Sequence, residues 1–206
     1  YRVYRAHDPV ATLRYKDLAE ADTARLQLPL QYVADTYRAQ GDTIAYVSTL
    51  EKGFDNNPVS EYFFTHLFDY RFQRGDTTQA LTLCNRSLAI NAKSKVAMLA
   101  KSAVLLTMQH YDECVQLCDA IIALDDSLAD AYLNAGLAYF NQAVKIDNAP
   151  KHTRAERAKM LEYYRNSLKY MQTYRKLAPT RKDLWAMPLY TIYLNLNICL
   201  LYTSDA

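Results

Sequence analysis

A period of 34 residues constrains this chain more than any other feature of its sequence. The triplet Gly41-Asp42-Thr43 returns 34 residues later as Gly75-Asp76-Thr77. A further 34 residues on stands Gln109, followed by His110-Tyr111-Asp112, again a polar turn leading into an apolar stretch. Upstream, Tyr4-Arg5-Ala6-His7-Asp8 has the character of Tyr37-Arg38-Ala39 and its turn. Between the turns, apolar residues recur at spacings of three and four, which gathers them on one face of a helix. Breakers are few: 4 glycines and 6 prolines in 206 residues are too few for the turns of an all-β chain. Two helices per period make a hairpin that cannot bury both of its faces alone. Neighbouring hairpins must therefore stack around a continuous core.

This unit resembles the tetratricopeptide repeat, in which apolar residues recur at positions 4, 7, 8, 11, 20, 24 and 27 and proline is common at 32. With Gly41 at position 15, the pattern positions hold Leu30, Ala34, Tyr37, Leu50, Gly53 and Pro58 in one unit. Phe64, Phe68, Ala80, Cys84 and Ser87 follow in the next, then Met98, Leu105, Cys114, Cys118 and Ile121. In the fourth, Tyr132, Gly136 and Tyr139 match a first helix closely. Its proline, Pro179, comes late, so about 19 extra residues lie inside that hairpin; Trp185 then restarts the pattern. The chain departs from the pattern at Tyr46, at Arg71, at Phe68 where the two helices should cross closely, and at Pro188 inside the last helix.

The resemblance implies an all-α, right-handed superhelical solenoid of antiparallel helix pairs. The implied divisions are a partial unit at 1–26, repeats at 27–60, 61–94 and 95–128, a repeat with the insertion at 129–181, and the first helix of a further unit at 182–206. Both ends read as cut. The expected helix pairs are 27–40 with 43–55, 61–74 with 77–90, 95–108 with 111–124, and 129–147 with 153–177, followed by a helix from 182 to about 201.

The chain shows no constellation for catalysis, for a cofactor or for a metal. Cys114 and Cys118 follow His110 at helical spacing, but both cysteines, like Cys84, occupy core positions, where thiols pack as small hydrophobes. They are expected to be buried and unbridged. Four thiols without a disulfide framework favour a reducing compartment. No apolar run is long enough for a transmembrane helix. Turn sequences of this style are common in Bacteroidetes-type bacteria, which points to a bacterial cytoplasm, or a periplasm or cell envelope.

Charge is uneven. Lys145 to Lys182 holds 11 Lys/Arg against 3 Asp/Glu, whereas the whole chain carries 24 against 22. On a helical wheel Arg154, Arg157, Arg165, Lys169, Arg175 and Lys176 share one face of the insertion, opposite Met160, Tyr163, Tyr164, Met171 and Tyr174. Such a face is either solvated or meets an acidic protein or an anionic membrane. Nucleic acid fits least, because aromatic and basic residues do not interleave on it.

The resemblance also implies a concave surface built from positions 2, 5, 9, 12 and 13 of the first helices. Those positions hold Tyr62, Thr65, Asp69 and Phe72, then Leu99 and Leu106, then Leu133, Leu137 and Phe140, and finally Tyr190 and Tyr193. The lysine and asparagine with which some relatives grip a C-terminal carboxylate are absent from positions 5 and 9. An apolar, aromatic groove instead suits an amphipathic helix or an extended peptide, unless a further helix of the same polypeptide fills it. The expected function is a protein-binding scaffold without enzymatic activity; the alternative is a regulatory or targeting module of a larger polypeptide.

Overall fold

The computed structural model describes residues 27–198, and all regular structure among them is helical. The helices are α1 (Gln27–Gln40), α2 (Thr43–Asn56), α3 (Glu61–Gln73), α4 (Thr77–Ile90), α5 (Lys95–Thr107), α6 (Tyr111–Leu124), α7 (Ala129–Asp147), α8 (Arg154–Leu177) and α9 (Lys182–Asn195). Their bounds fall within one residue of the sequence expectation, apart from the end of α9. The partial unit expected at 1–26 lies outside the described residues. The chain forms two compact units, one reaching Ala97 and one beginning at Met98.

The 34-residue period is written into the backbone of the turns. In the first, the N–H groups of Gly41 and Asp42 bond the carbonyls of Arg38 and Tyr37. Gly75 and Asp76 repeat this on Phe72 and Arg71, and Gln109 and His110 repeat it on Leu106 and Leu105. The motif closes a helix through one residue in the left-handed region, which glycine enters without steric cost. Gly41 and Gly75 both have φ 75°, while Gln109 takes φ 62° with a side chain attached. The next helix starts on Asp42 or Asp76, whose carboxylates accept from the N–H of Ala45 and Gln79. His110 makes no such cap.

α9 stops sooner than expected because the same turn intervenes. Asn197 has φ 51°, its N–H bonds the Leu194 carbonyl, and the N–H of Ile198 bonds that of Tyr193. The helix runs through Pro188, which supplies no N–H for the ladder.

In the first unit, Leu30, Ala34, Leu50, Phe54, Phe63 and Leu67 form the centre of the core. Gly53 is buried against the ring of Phe63, which occupies the place of a β-carbon. Phe68, too bulky for a close crossing, stacks between Phe64 and Phe72. Arg71, another departure from the pattern, is held by Glu51 at 2.9 Å.

The second unit is organised by the long hairpin. α7 has 19 residues and α8 has 24, so the insertion lengthens both arms. Thr153 and Glu156 close the start of α8 with a reciprocal capping box. The arms meet at Gly136, where a β-carbon would lie 2.6 Å from Met171 Sδ. There Ser167 Oγ donates to the Gly136 carbonyl at 2.7 Å. Met160, Tyr164, Met171 and Tyr174 of α8 are buried, together with Leu189 and Ile192 of α9. Cys114 and Cys118 of α6 pack with Leu105, Ala135 and Ala138.

The third turn yields a test of the period. Gln109→Gly relieves a left-handed conformation that costs a side chain about 1–2 kcal/mol, partly offset by the greater entropy of glycine in the unfolded chain. The expected result is a gain of about 1 kcal/mol in chemical unfolding; Gln109→Ala should bring no such gain.

Candidate interaction surface

The groove residues expected from the sequence divide between the two units. In the first, Tyr62 donates to Asp35 Oδ1 at 2.7 Å, and Arg38 pairs with the same oxygen at 3.1 Å. Thr65 is half-buried and Asp69 exposed, while Phe72 ends the aromatic stack. This surface is a polar network rather than an apolar one.

In the second unit the expected apolar residues do not stand clear of the core. Leu133 is only 8% exposed and packs with Leu189 and Ile192, so it is a core residue and leaves the candidate surface. Leu137 and Phe140 are half-buried against that same cluster, and Leu99 and Leu106 are half-buried as well. The reason is that α7 packs against α6, α8 and α9, which widens the stripe it buries. An aspartate at Leu137 would therefore cost stability, contrary to the expectation for a surface site.

On the first helices of the second unit, the exposed large apolar residues lie on α9. Met187 is 70% exposed, Tyr190 50% and Leu194 54%, spaced so that they form one strip. Tyr193 flanks the strip half-buried, its hydroxyl accepting from Gln172. Tyr190 and Tyr193 were expected here from the repeat register. Met187 was not, because it sits at no groove position of the repeat; its spacing of three and seven from Tyr190 and Leu194 is the signal that reveals it.

Arg154, Arg157, Arg165, Lys169 and Lys176 of α8 are all exposed, and none makes an ion pair among the described residues. Arg175, at the edge of that face, turns inward over the Trp185 ring at 4.9 Å. His110 pairs with Glu113 at the surface, while Cys114 and Cys118 point into the core, so the three do not converge on a metal. Cys84, Cys114 and Cys118 are buried and outside any disulfide. The Cys114 thiol, 3.3 Å from the Ser102 carbonyl, is pushed well above the usual range by its hydrogen bond to Cys118 and by burial.

Solved structures share this architecture. Human IFIT1, solved as a dimer with m7Gppp-AAAA, superposes with a TM-score of 0.63 at 16% identity over 91% of this chain. The fold is that of the tetratricopeptide repeat. The chain spans 42% of IFIT1's length. MamA superposes with a TM-score of 0.55 at 19% identity, over 85% of this chain and 95% of MamA. A tetratricopeptide repeat protein from Parabacteroides merdae gives 0.51 at 13% identity, over 83% of this chain and 73% of its own. No family model and no curated protein matches the sequence. Among the described residues no helix is long and apolar enough to cross a membrane.

Three tyrosines tie helices together through carboxylates, and they give the fold an alkaline limit. Tyr62 donates to Asp35, Tyr164 to Asp147 and Tyr170 to Asp119. Burial, and then the neighbouring carboxylate, raises each phenol above its ordinary value of 10.0. A raised folded pKa means stability that is whole below pH 10 and lost as pH climbs above it. Absorbance titration should show a set of tyrosines that ionise only as helical circular dichroism collapses. All 18 titrating together near pH 10 with the helices intact would contradict these contacts.

Proposed function

We propose that the chain is a protein-binding scaffold, without catalytic function, that receives an amphipathic helix or extended peptide on the first-helix side of its second unit. The observation that carries this reading is the α9 strip of Met187, Tyr190 and Leu194. Contiguous apolar surface of this kind on a folded chain marks a contact site, and its tyrosine combines large area with a polar tip. Half-buried Leu137, Phe140 and Tyr193 pack on the same core cluster and extend the apolar character beside the strip.

IFIT1 was solved with a capped oligonucleotide, and a polyanion would find charge on α8 here. Tyr164 and Tyr174 of α8 are buried, and the partly exposed Tyr163 and Tyr170 lie off the face that carries Arg154, Arg165 and Lys169, so a protein partner is favoured. A second reading draws on the turn at Asn197. Elsewhere in the chain that turn introduces the second helix of a hairpin, and a further helix of the same polypeptide is the alternative occupant of the strip.

The test begins with a photoreactive amino acid at position 190, introduced into the native polypeptide in its own cells, to capture what touches the strip. Binding is then measured with the purified captured protein. Tyr190→Asp with Leu194→Asp should weaken binding more than tenfold, equivalent to about 1.4 kcal/mol or more, with an unchanged thermal melt. Arg165→Glu with Lys169→Glu should change it little. The opposite pattern would move the site to the basic face, and crosslinks confined to the same polypeptide would favour the covering helix.

A further inference from the structure

The outward face of α8 carries charge that nothing else in the described chain answers. Arg154, Arg165, Lys169 and Lys176 fall within about 60° of one another around the helix, at about 100° per residue, and Arg157 lies about 60° to one side. At about 1.5 Å of rise per residue, the row from Arg154 to Lys176 is about 33 Å long. All five cations are exposed, and none makes an ion pair among the described residues. Of the two acidic residues of α8, Glu156 is engaged by Thr153 in the capping box, and Glu162 stands at the edge of the row.

The row cannot roll away from solvent, because contacts on the other sides of α8 fix its rotation. Met160, Tyr164 and Met171 are buried opposite the row. Ser167 donates to the Gly136 carbonyl at 2.7 Å, and Tyr170 donates to Asp119 of α6 at 2.7 Å. The backbone beneath the five cations is therefore set before any partner arrives.

Three kinds of anionic partner differ in what they ask of such a face. A protein interface is built around apolar and aromatic anchors, with charges at its rim. Between its cations this face offers Ala155, Ala158, Asn166, Gln172 and Thr173, and no large apolar side chain. A nucleic acid strand is held in a basic groove by cations and stacking rings. The second wall of a groove here would be α6, which carries Asp112, Glu113 and Asp119 and no lysine or arginine. A bilayer with anionic headgroups asks for neither an apolar anchor nor a second wall. Its field acts on each cation that reaches the surface, and each strengthens binding about fivefold. We propose that the α8 row docks the chain on an anionic phospholipid membrane, resting on the headgroups without insertion. The α9 strip takes no part in this contact.

The test is co-sedimentation of the purified chain with vesicles of phosphatidylcholine, alone or mixed with phosphatidylglycerol. The chain should sediment with the mixed vesicles and stay in solution with phosphatidylcholine alone. Salt at about 1 M, where the screening length falls to about 3 Å, should release it. Arg165→Gln with Lys169→Gln should weaken binding about 25-fold, with an unchanged circular dichroism melt because both side chains are exposed and unpaired. Arg74→Gln with Lys93→Gln removes the same charge from the first unit and should change binding little. Tyr190→Asp with Leu194→Asp should likewise change it little, which separates this surface from the partner site. Failure to sediment with the mixed vesicles at low salt, equal binding to both vesicle types, or equal losses from the two neutralised pairs would each overturn the assignment. Loss of binding through the α9 changes would overturn it by making the apolar strip the membrane contact. Displacement from the vesicles by polyglutamate or oligoadenylate at an equal concentration of charge would overturn it in favour of an acidic protein or a nucleic acid.

Discussion

The close approach of α7 and α8 at Gly136 is the constraint on which the second unit depends. No β-carbon fits there without moving Met171, and Ser167 uses the proximity to reach the Gly136 carbonyl. Once the arms are locked at that point, everything along them follows from helix geometry. Met160, Tyr164, Met171 and Tyr174 fall on the inner face of α8, and the arginines and lysines fall outward because the same rotation carries them there. The additional turns give α9 a wall to pack on and carry Lys145 and Lys159 past the start of α6.

Much of this was legible in the sequence because a repeat states its constraints several times. Gly41 and Gly75 named the turn twice, and the third copy held even with glutamine at the left-handed position. The core cysteines were legible for the same reason: their place in the register, not their chemistry, decides their burial. The insertion was legible as a delay before Pro179, although only the structure shows that the extra residues extend both helices.

The surface was less legible because a repeat pattern assigns each residue to a face but says nothing of how many neighbours grip that face. α7 is held by three helices, so Leu133 is drawn into the core and Leu137 and Phe140 are partly covered. Arg71 departed from the pattern because Glu51 stands opposite it, a partner twenty residues away that no local rule supplies. Met187 was missed because α9 presents an exposed strip outside the groove positions of the repeat.

The central claim is that the hairpins complete their own core and leave the α9 strip open for a partner. The methionines report on this directly, for Met187 is 70% exposed whereas Met98, Met160 and Met171 are 6% or less. Hydroxyl-radical footprinting of the purified chain, read by mass spectrometry, should oxidise Met187 far faster than Met160 or Met171. If Met187 is as slow as Met171, the strip is already covered in the isolated chain, and the account of α9 as the partner surface is wrong.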